Sequence, residues 1–403
     1  MVNVIGLGYI GLPTALMLAA HGVKVIGTDC NALLVEKLQE GILTFNENGL
    51  EELFHDAVEK GIRFSSEYVP TDTYIISVPT PYNKLTKLID SHFVVEAVEA
   101  VLRVCIDGAD IIIESTVSPN TIDRDIRPLV KDSERTVNII HAPERILPGN
   151  MMYELIHNNR TIGADSADVA ERVRWLYASF CQGEIVTTDV RTAEMTKVVE
   201  NTFRAVNIAF ANELLHICHY SGMDVSEIIR ICNKHPRVNI MQPGPGVGGH
   251  CIPVDPWFLV GEYPQITPMI AASLNVNASQ PEYVLHRIGE IMRKENIVCA
   301  QRVGLYGLTY KEDVDDYRES PALQLFEAQR RHLAEPLKCY DPYLVGRHVV
   351  ETQMDSFDDF VDSVDMVVVM VKHKHIKENM DKLSGKVVLD CQDICPLPNR
   401  YTL

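Results

Sequence analysis

The stretch Gly244-Pro-Gly-Val-Gly-Gly-His-Cys-Ile-Pro-Val-Asp255 sets a thiol, Cys251, four residues ahead of a carboxylate, Asp255. Five of its first six residues are Gly or Pro, which excludes the interior of a helix or strand. If a helix starts after Gly249, Pro253 falls in its first turn, where proline is tolerated. Cys251 then stands at the helix N-terminus, where the dipole favours a thiolate. Asp255 lies one turn on, on the same face. A thiolate beside a hydride acceptor would do covalent catalysis on an aldehyde. A small buried cysteine in a tight loop is the other outcome, and the loop alone does not choose between them.

A second set sits in a long helical pattern from about Thr192 to Tyr220, where Lys197, Asn201 and Arg204 form one stripe. Met195, Val198, Val199, Phe203, Val206, Ile208 and Phe210 surround it on more than one side, which predicts a buried helix. A buried Lys–Asn–Arg stripe needs anionic or polar partners, whereas a solvated face needs none, and the helix alone fits both. His216 and His219 are spaced for a metal, but no carboxylate or cysteine pattern completes a site, so no metal is expected.

The third set opens the chain. Gly6-Leu-Gly8-Tyr-Ile-Gly11 follows the strand pattern Val2-Asn3-Val4-Ile5 and precedes a helix from Gly11 to Ala20. Such glycines let the backbone turn tightly and approach a pyrophosphate, which sits at the positive helix end. Asp29 follows the next strand, where a carboxylate binds both ribose hydroxyls and repels a 2′-phosphate, favouring NAD over NADP. Val78-Pro-Thr80-Pro81 and Ser115-Thr116 end two later strands on the same sheet edge.

These sets need an α/β frame to hold them. Val23 to Thr28, Thr73 to Val78, Ile111 to Glu114 and Val137 to His141 read as further strands of a parallel sheet. The long helix, about 45 Å at 1.5 Å per residue, and a second helical stretch after Pro268 with a break at Pro281 make a helical middle. Val303 to Tyr306, Leu337 to Tyr340, Met366 to Val371 and Val387 to Leu389 return to strand–helix alternation. The division predicted is residues 1–187, 188–294 and 295–403. The two α/β ends share architecture without obvious sequence.

With 403 residues, 46% of them hydrophobic and 23% charged, the composition is that of a soluble globular protein. A net charge of −18 with no basic run argues against nucleic acid or an anionic membrane as partner. The ten cysteines follow no framework spacing, which predicts a reduced, cytosolic protein. Met1 and the first strand start together, so no signal peptide is expected, and apolar runs such as Met366 to Met370 are too short to span a bilayer.

Six motifs occur in order: Gly6-Leu-Gly-Tyr-Ile-Gly-Leu-Pro13, Val78-Pro-Thr-Pro81, Glu114-Ser-Thr-Val117, Pro143-Glu-Arg-Ile-Leu-Pro-Gly149, Gly248-Gly-His-Cys-Ile-Pro-Val-Asp255 and Arg318-Glu-Ser-Pro321. Over nearly the full chain they resemble the nucleotide-sugar 6-dehydrogenase family, the UDP-glucose/GDP-mannose dehydrogenases. Pro143 to Gly149, His235-Pro-Arg-Val-Asn-Ile240 and Gly249 to Phe258 narrow the resemblance to the branch that oxidises UDP-N-acetyl-D-mannosamine. UDP-glucose, UDP-N-acetylglucosamine and UDP-N-acetylgalactosamine stay open as substrates.

The resemblance implies an N-terminal Rossmann-type NAD domain, a central helical dimerisation region and a C-terminal Rossmann-like UDP-sugar domain. It implies a four-electron oxidation of C6 through a Cys251 thiohemiacetal and thioester. Lys197 and Asn201 would stabilise the oxyanion, Asp255 would position Lys197 and water, Glu144 would be the hydrolytic base, and Thr116 would hold water near the nicotinamide. Tyr9, Ile10, Asp29, Thr80, Thr116 and Arg318 match the NAD positions. Arg145, Ile146, Arg204, His235, Arg237, Gly246, Gly248, His250 and Lys311 match positions around the nucleotide-sugar, beside Lys197 and Asn201. One departure stands out: Pro268 to Asn275 lacks the arginine that many members send into the partner subunit, so sharing of the site stays open. A β-hydroxyacid dehydrogenase also pairs a Rossmann domain with a lysine-bearing helix, but removes two electrons and needs no cysteine. A non-catalytic NAD-binding protein would leave Lys197, Cys251 and Asp255 freely replaceable.

Overall fold

Near-continuous apolar runs such as Ala109–Ile113 and Met366–Val369 bury both faces of a strand, which is how a parallel sheet covered on both sides reads. The computed structural model describes residues 1–45, 47–83, 86, 88–146, 149–249, 251–332 and 336–403, with the backbone alone at His332. It divides into two units, Met1–Glu200 with Gly261–Pro264, and Asn201–Val260 with Gln265–Leu403.

The first unit holds, among the described residues, strands β1 (Val2–Ile5), β2 (Val25–Thr28), β3 (Arg63–Ser65), β4 (Thr73–Ile76), β5 (Ala109–Ile113), β6 (Val137–His141), β7 (Arg160–Gly163) and β8 (Ile185–Thr188). Their order is β3-β2-β1-β4-β5-β6-β7-β8, parallel except for β6 against β7. Strand order reverses at β1, so a crevice opens beyond the carboxyl ends of β1 and β4. Register aligns Thr28, Ile5, Ile76, Ile113 and His141 across five strands. The residues after them, Asp29, Gly6, Ser77, Glu114 and Ala142, therefore line one edge. Side-chain alternation divides the core between the faces, Val4, Ile75, Ile112 and Ile140 on one and Ile5, Ile76, Ile113 and Ile139 on the other.

The second unit repeats this plan with β9 (Val303–Tyr306), β10 (Lys338–Tyr340), β11 (Gln353–Met354), β12 (Met366–Val369), β13 (Val387–Asp390) and β14 (Arg400–Thr402). All pairs are parallel, in the order β11-β10-β9-β12-β13-β14. The sequence pattern misses β3, β11 and β14, which are two or three residues long, β8, whose middle is exposed, and β7, whose four buried residues open on a charge, Arg160.

Two expectations change. Pro268–Lys294 is one continuous helix through Pro281, not two pieces. Proline there deletes one amide, and buried Leu274, Val284, Leu285 and Ile288 hold the turns on either side. The long helix, Val190–Ser221, is not buried all round. Val199, Phe203, Phe210, Ile217 and Tyr220 are 45%, 65%, 55%, 52% and 94% exposed, because the rest of the chain does not cover that stripe. No helix of the described residues is long and apolar enough to cross a membrane.

Candidate functional site

The cofactor loop is built by close approach. Gly6 has φ +89°, and a Cβ there would stand 2.6 Å from the Ser77 carbonyl oxygen. A Cβ on Gly11 would run into the Gly6 carbonyl oxygen. At Gly8 a Cβ would meet nothing within 4 Å, so packing does not demand that glycine and the space above it is free for a ligand backbone. Asp29 accepts the Leu7 and Asn31 amides, each at 2.8 Å, which fixes its carboxylate at the end of β2. Tyr9 stacks on Phe45 with ring centres 4.4 Å apart, Ile10 is half-buried, Thr80 is buried and Thr116 half-buried. Ser115 donates to the Val78 carbonyl at 2.7 Å, tying two strand-end loops together. The residues fit a dinucleotide: open space at Gly8, a helix start at Gly11 and a carboxylate where ribose hydroxyls fall.

At the next strand ends lies a buried ionic group. Arg160, first residue of β7, pairs with Glu144 and stands 3.5 Å from Glu114. Glu114 also accepts from Ser77 Oγ at 2.6 Å and Tyr177 Oη at 3.3 Å. Burial outweighs the Arg160 charge and pushes the Glu114 carboxyl up to about 7. Glu144 takes the Arg145 amide at 2.6 Å. The Arg145 guanidinium is engaged by Thr161 Oγ1 at 2.7 Å and Glu200 at 3.1 Å, and Ile146 packs into the apolar core. Lys197 is buried, and its charge is felt by fully buried His141.

In the second unit, Asn201 Nδ2 donates to Asp255 Oδ2 at 2.6 Å, both side chains buried. That supplies the polar partner the buried stripe requires. The expectation of a helix starting after Gly249 does not hold: the helix is Asp255–Glu262. Cys251 stands one turn ahead of it, half-buried, its carbonyl accepting the Val254 and Asp255 amides at 3.1 and 2.8 Å. Pro253 lies in that turn, before the helix. Glycines ahead of Cys251 are required by Tyr310, since a Cβ on Gly248 or Gly249 would stand 2.6 or 2.8 Å from its side chain. Gly249, at φ +85°, also donates its amide to the Arg318 carbonyl at 3.0 Å.

Gly246 and Lys311 line one cleft of about 180 Å³ with Tyr310, Pro321, Lys372 and Gln392. Arg204 is half-buried, His235 and Arg237 are exposed, and Arg318 pairs with Asp316 at 2.7 Å. His250, and Leu147 and Pro148 of the Pro143–Gly149 motif, lie outside the described residues. His216 and His219 hydrogen-bond Gln280 and Tyr283, each at 2.9 Å.

Sequence reasoning missed Arg160 and Asn212, and gave Glu114, the head of one motif, no role or partner. Asn212 accepts the Gly244 amide and donates to Asn277, both at 3.0 Å, joining the long helix to the cysteine loop and to the Pro268 helix. Its signal was its place on the stripe of Asn201, three turns further on. Arg160 had only the sign of a charge opening an apolar run.

The chain matches known proteins over its whole length. Residues 1–181 match the NAD-binding domain of the UDP-glucose/GDP-mannose dehydrogenase family, 191–279 its central domain and 304–396 its UDP-binding domain. A UDP-N-acetyl-D-mannosamine dehydrogenase of Methanococcus aeolicus is 39% identical, over 97% of this chain and 90% of that protein. An NDP-N-acetyl-D-galactosaminuronic acid dehydrogenase of Ralstonia nicotianae is 37% identical, over 96% and 95%. The solved UDP-D-ManNAc dehydrogenase of Pyrococcus horikoshii superposes with a TM-score of 0.91 at 34% identity, covering 100% of this chain and 98% of that one. With the open loop at Gly8, the fixed Asp29 and three matching domains, the chain belongs to the UDP-glucose/GDP-mannose dehydrogenase family and takes NAD as its cofactor.

Proposed function

We propose that the chain oxidises the C6 hydroxymethyl group of UDP-N-acetyl-D-mannosamine to the carboxylate, giving UDP-N-acetyl-D-mannosaminuronate for a surface polysaccharide or glycan precursor. The observation that carries the chemistry is the 2.6 Å Asn201–Asp255 hydrogen bond beside the turn that begins at Cys251. A buried amide fixed by a buried carboxylate is an oxyanion donor held in one orientation. What supports the sugar is the likeness to the UDP-N-acetyl-D-mannosamine dehydrogenases of Methanococcus aeolicus and Pyrococcus horikoshii.

Gly6–Gly11, Tyr9, Ile10, Asp29, Thr80, Thr116 and Arg318 would hold NAD, which would supply the hydride acceptor for each of two successive oxidations at C6. Lys197 takes the hydroxyl proton of the first oxidation, and with Asn201 it donates hydrogen bonds to the C6 oxygen as charge builds there. The Cys251 thiolate adds to the aldehyde carbon, forming a C–S bond while the C6 oxygen takes back the proton from Lys197 to give a thiohemiacetal; Lys197 takes that proton again as the second oxidation converts it to a thioester. Glu144 takes a proton from water as its oxygen bonds to C6. The C–S bond then breaks, the sulfur leaves as thiolate, and the product acid ionises. Asp255 orients Asn201, Lys197 and water, and Thr116 holds water beside the ring. Arg204, His235, Arg237 and Lys311 suit the diphosphate and sugar hydroxyls by charge and fork geometry, with Gly246 and Gly248 allowing close approach. Arg145, Ile146 and His250 complete the proposed substrate set, and a three-part division at 187 and 294 is part of the same proposal. A homodimer along the exposed stripe of the long helix would cover Phe203 and Phe210, and ten cysteines without framework spacing suit a reducing cytoplasm.

The galactosaminuronic acid relative favours a second reading, in which another UDP-linked N-acetylhexosamine is the substrate. NADH formed per molecule of UDP-N-acetylmannosamine, followed at 340 nm beside UDP-N-acetylgalactosamine, UDP-N-acetylglucosamine and UDP-glucose, decides between them. Two NADH from the mannosamine sugar alone is the expected result. Turnover of another sugar only would discard the substrate, and one NADH per sugar would discard the mechanism.

A further inference from the structure

Glu144 does not stand alone. Its carboxylate is gripped by Arg160, which is 4% exposed and reaches a second carboxylate, Glu114, 3.5 Å away and 1% exposed. The guanidinium carbon lies 4.4 Å from the Tyr177 ring centre and 5.3 Å from that of Phe180. A planar, permanently charged group with donors on its edge and aromatic rings on its face has one orientation open to it. Glu114 is anchored in turn by Ser77, whose carbonyl lies against Gly6 of the cofactor loop. The chain of contacts thus runs from the turn under the cofactor loop, through Glu114 and Arg160, to Glu144.

Burial of this group is costly, and packing alone does not call for it. Apolar residues of like volume commonly serve a core as well as an ion pair does. With burial holding Glu114 up at about 7, one proton among the two carboxylates brings the group to neutrality. The Glu144 carboxylate then keeps lone pairs beyond the Arg160 and Arg145 bonds for a water molecule.

We propose that Arg160, anchored by Glu114, is the positioning residue that holds Glu144 in place to activate water for release of the product acid. This rests on the reading that Glu144 is the hydrolytic base. In that step water's oxygen bonds to the thioester carbon, Glu144 takes the proton, and the C–S bond breaks with the electron pair going to sulfur. No electrons are exchanged with the cofactor. Misplacing a general base by about 1 Å costs about 100-fold in rate, with no necessary effect on binding.

The test is rapid mixing of full-length enzyme with saturating NAD and UDP-N-acetylmannosamine, read at 340 nm, with intact-mass detection of acyl-enzyme. Arg160→Ala would leave two buried carboxylates facing each other and endanger the fold, so Arg160→Lys is used, with isosteric Glu114→Gln beside it. Glu144→Gln should release a burst near two NADH per subunit, then turn over slowly with the thioester adduct in the mass spectrum. Arg160→Lys should show the same burst and adduct with steady turnover about 10- to 100-fold down, KM falling with kcat so that kcat/KM for the sugar is unchanged, and no further loss when added to Glu144→Gln. Glu114→Gln should show the adduct to a lesser degree. If Glu144→Gln gives no adduct, the base assignment itself fails. If Glu144→Gln gives it but Arg160→Lys only raises KM or shrinks the burst, Arg160 is scaffold and the positioning role is overturned.

Discussion

At the end of β6, His141 is fully enclosed, and neither ring nitrogen has a hydrogen bond among the described residues. Burial pushes its pKa down to about 3, and the Lys197 charge pushes the same way. Folded, the ring stays neutral down to that pH, whereas an unfolded histidine takes a proton at about 6.5. The stability it contributes is complete above about pH 6.5 and is lost as the pH falls toward the folded value. At about 1.36 kcal/mol per pH unit, acidification from 6.5 to 5 removes about 2 kcal/mol. Glu114 and Glu194 act in the opposite sense. Burial holds both at about 7, above the unfolded value, so their contribution is present in acid and lost as the pH rises to neutral. The profile of the unaltered chain mixes the two trends, and His141→Leu separates them by deleting one titration while keeping the volume. Scanning calorimetry of the first unit's transition at pH 7 and pH 5 should show the unaltered chain losing about 2 kcal/mol more than His141→Leu, or about 4–8 °C. Parallel losses in the two proteins would refute a buried, neutral His141.

Four further outcomes follow from the same geometry. Gly8→Ala should melt within about 2 °C of the unaltered chain but raise the NAD KM about tenfold or more, while Gly11→Ala, whose Cβ strikes the Gly6 carbonyl, should lower the melting temperature sharply in calorimetry. Cys251→Ala should yield no uronic acid, with at most one NADH per sugar, checked at 340 nm and by anion-exchange chromatography of the product. Phe203→Asp on the exposed stripe should sediment at the mass of one chain where the unaltered protein sediments at two. Lys311→Ala, in the 180 Å³ cleft, should raise the KM for the nucleotide-sugar about 10- to 100-fold, the loss of one charge-assisted bond, and leave the KM for NAD unchanged in steady-state kinetics.

What the sequence discloses is what is local to one strand-turn-helix. Gly6, Gly11 and Asp29 are legible because a single βαβ unit sets their roles, and Cys251 and Asp255 because one turn separates them. What it hides needs a partner distant in the chain. Gly248 and Gly249 are glycine because of Tyr310, and Glu114 meets Arg160 only because β7 joins the sheet antiparallel to β6. An apolar run carries no mark of strand direction, so that reversal leaves no pattern to read. Pro281 and the exposed stripe of the long helix fail for a related reason: local propensity says what a proline or a phenylalanine prefers, and packing elsewhere decides whether it has it.

The likeness between the two α/β halves becomes visible only once β1 and β9 are aligned as first strands of the same strand order. Gly6-Leu-Gly-Tyr-Ile-Gly11 then falls on Gly307-Leu-Thr-Tyr-Lys-Glu312. Gly6 and Gly307 have φ of +89° and +91°, and in each half an aspartate after the second strand accepts the next amide, Leu7 to Asp29 at 2.8 Å and Leu308 to Asp341 at 2.6 Å. The scaffold is common to both, and three substitutions divide its uses. Thr309 stands where Gly8 leaves open space, Glu312 stands where Gly11 starts a helix against the Gly6 carbonyl, and Lys311 stands where Ile10 was. Asp341 is fully buried and held by His373 at 3.3 Å, out of reach of a ribose. The second loop has therefore lost the glycines that admit a pyrophosphate to the backbone and gained a lysine, exchanging amide recognition for a point charge. That is why the dinucleotide motif appears once in the sequence although the frame that carries it is built twice.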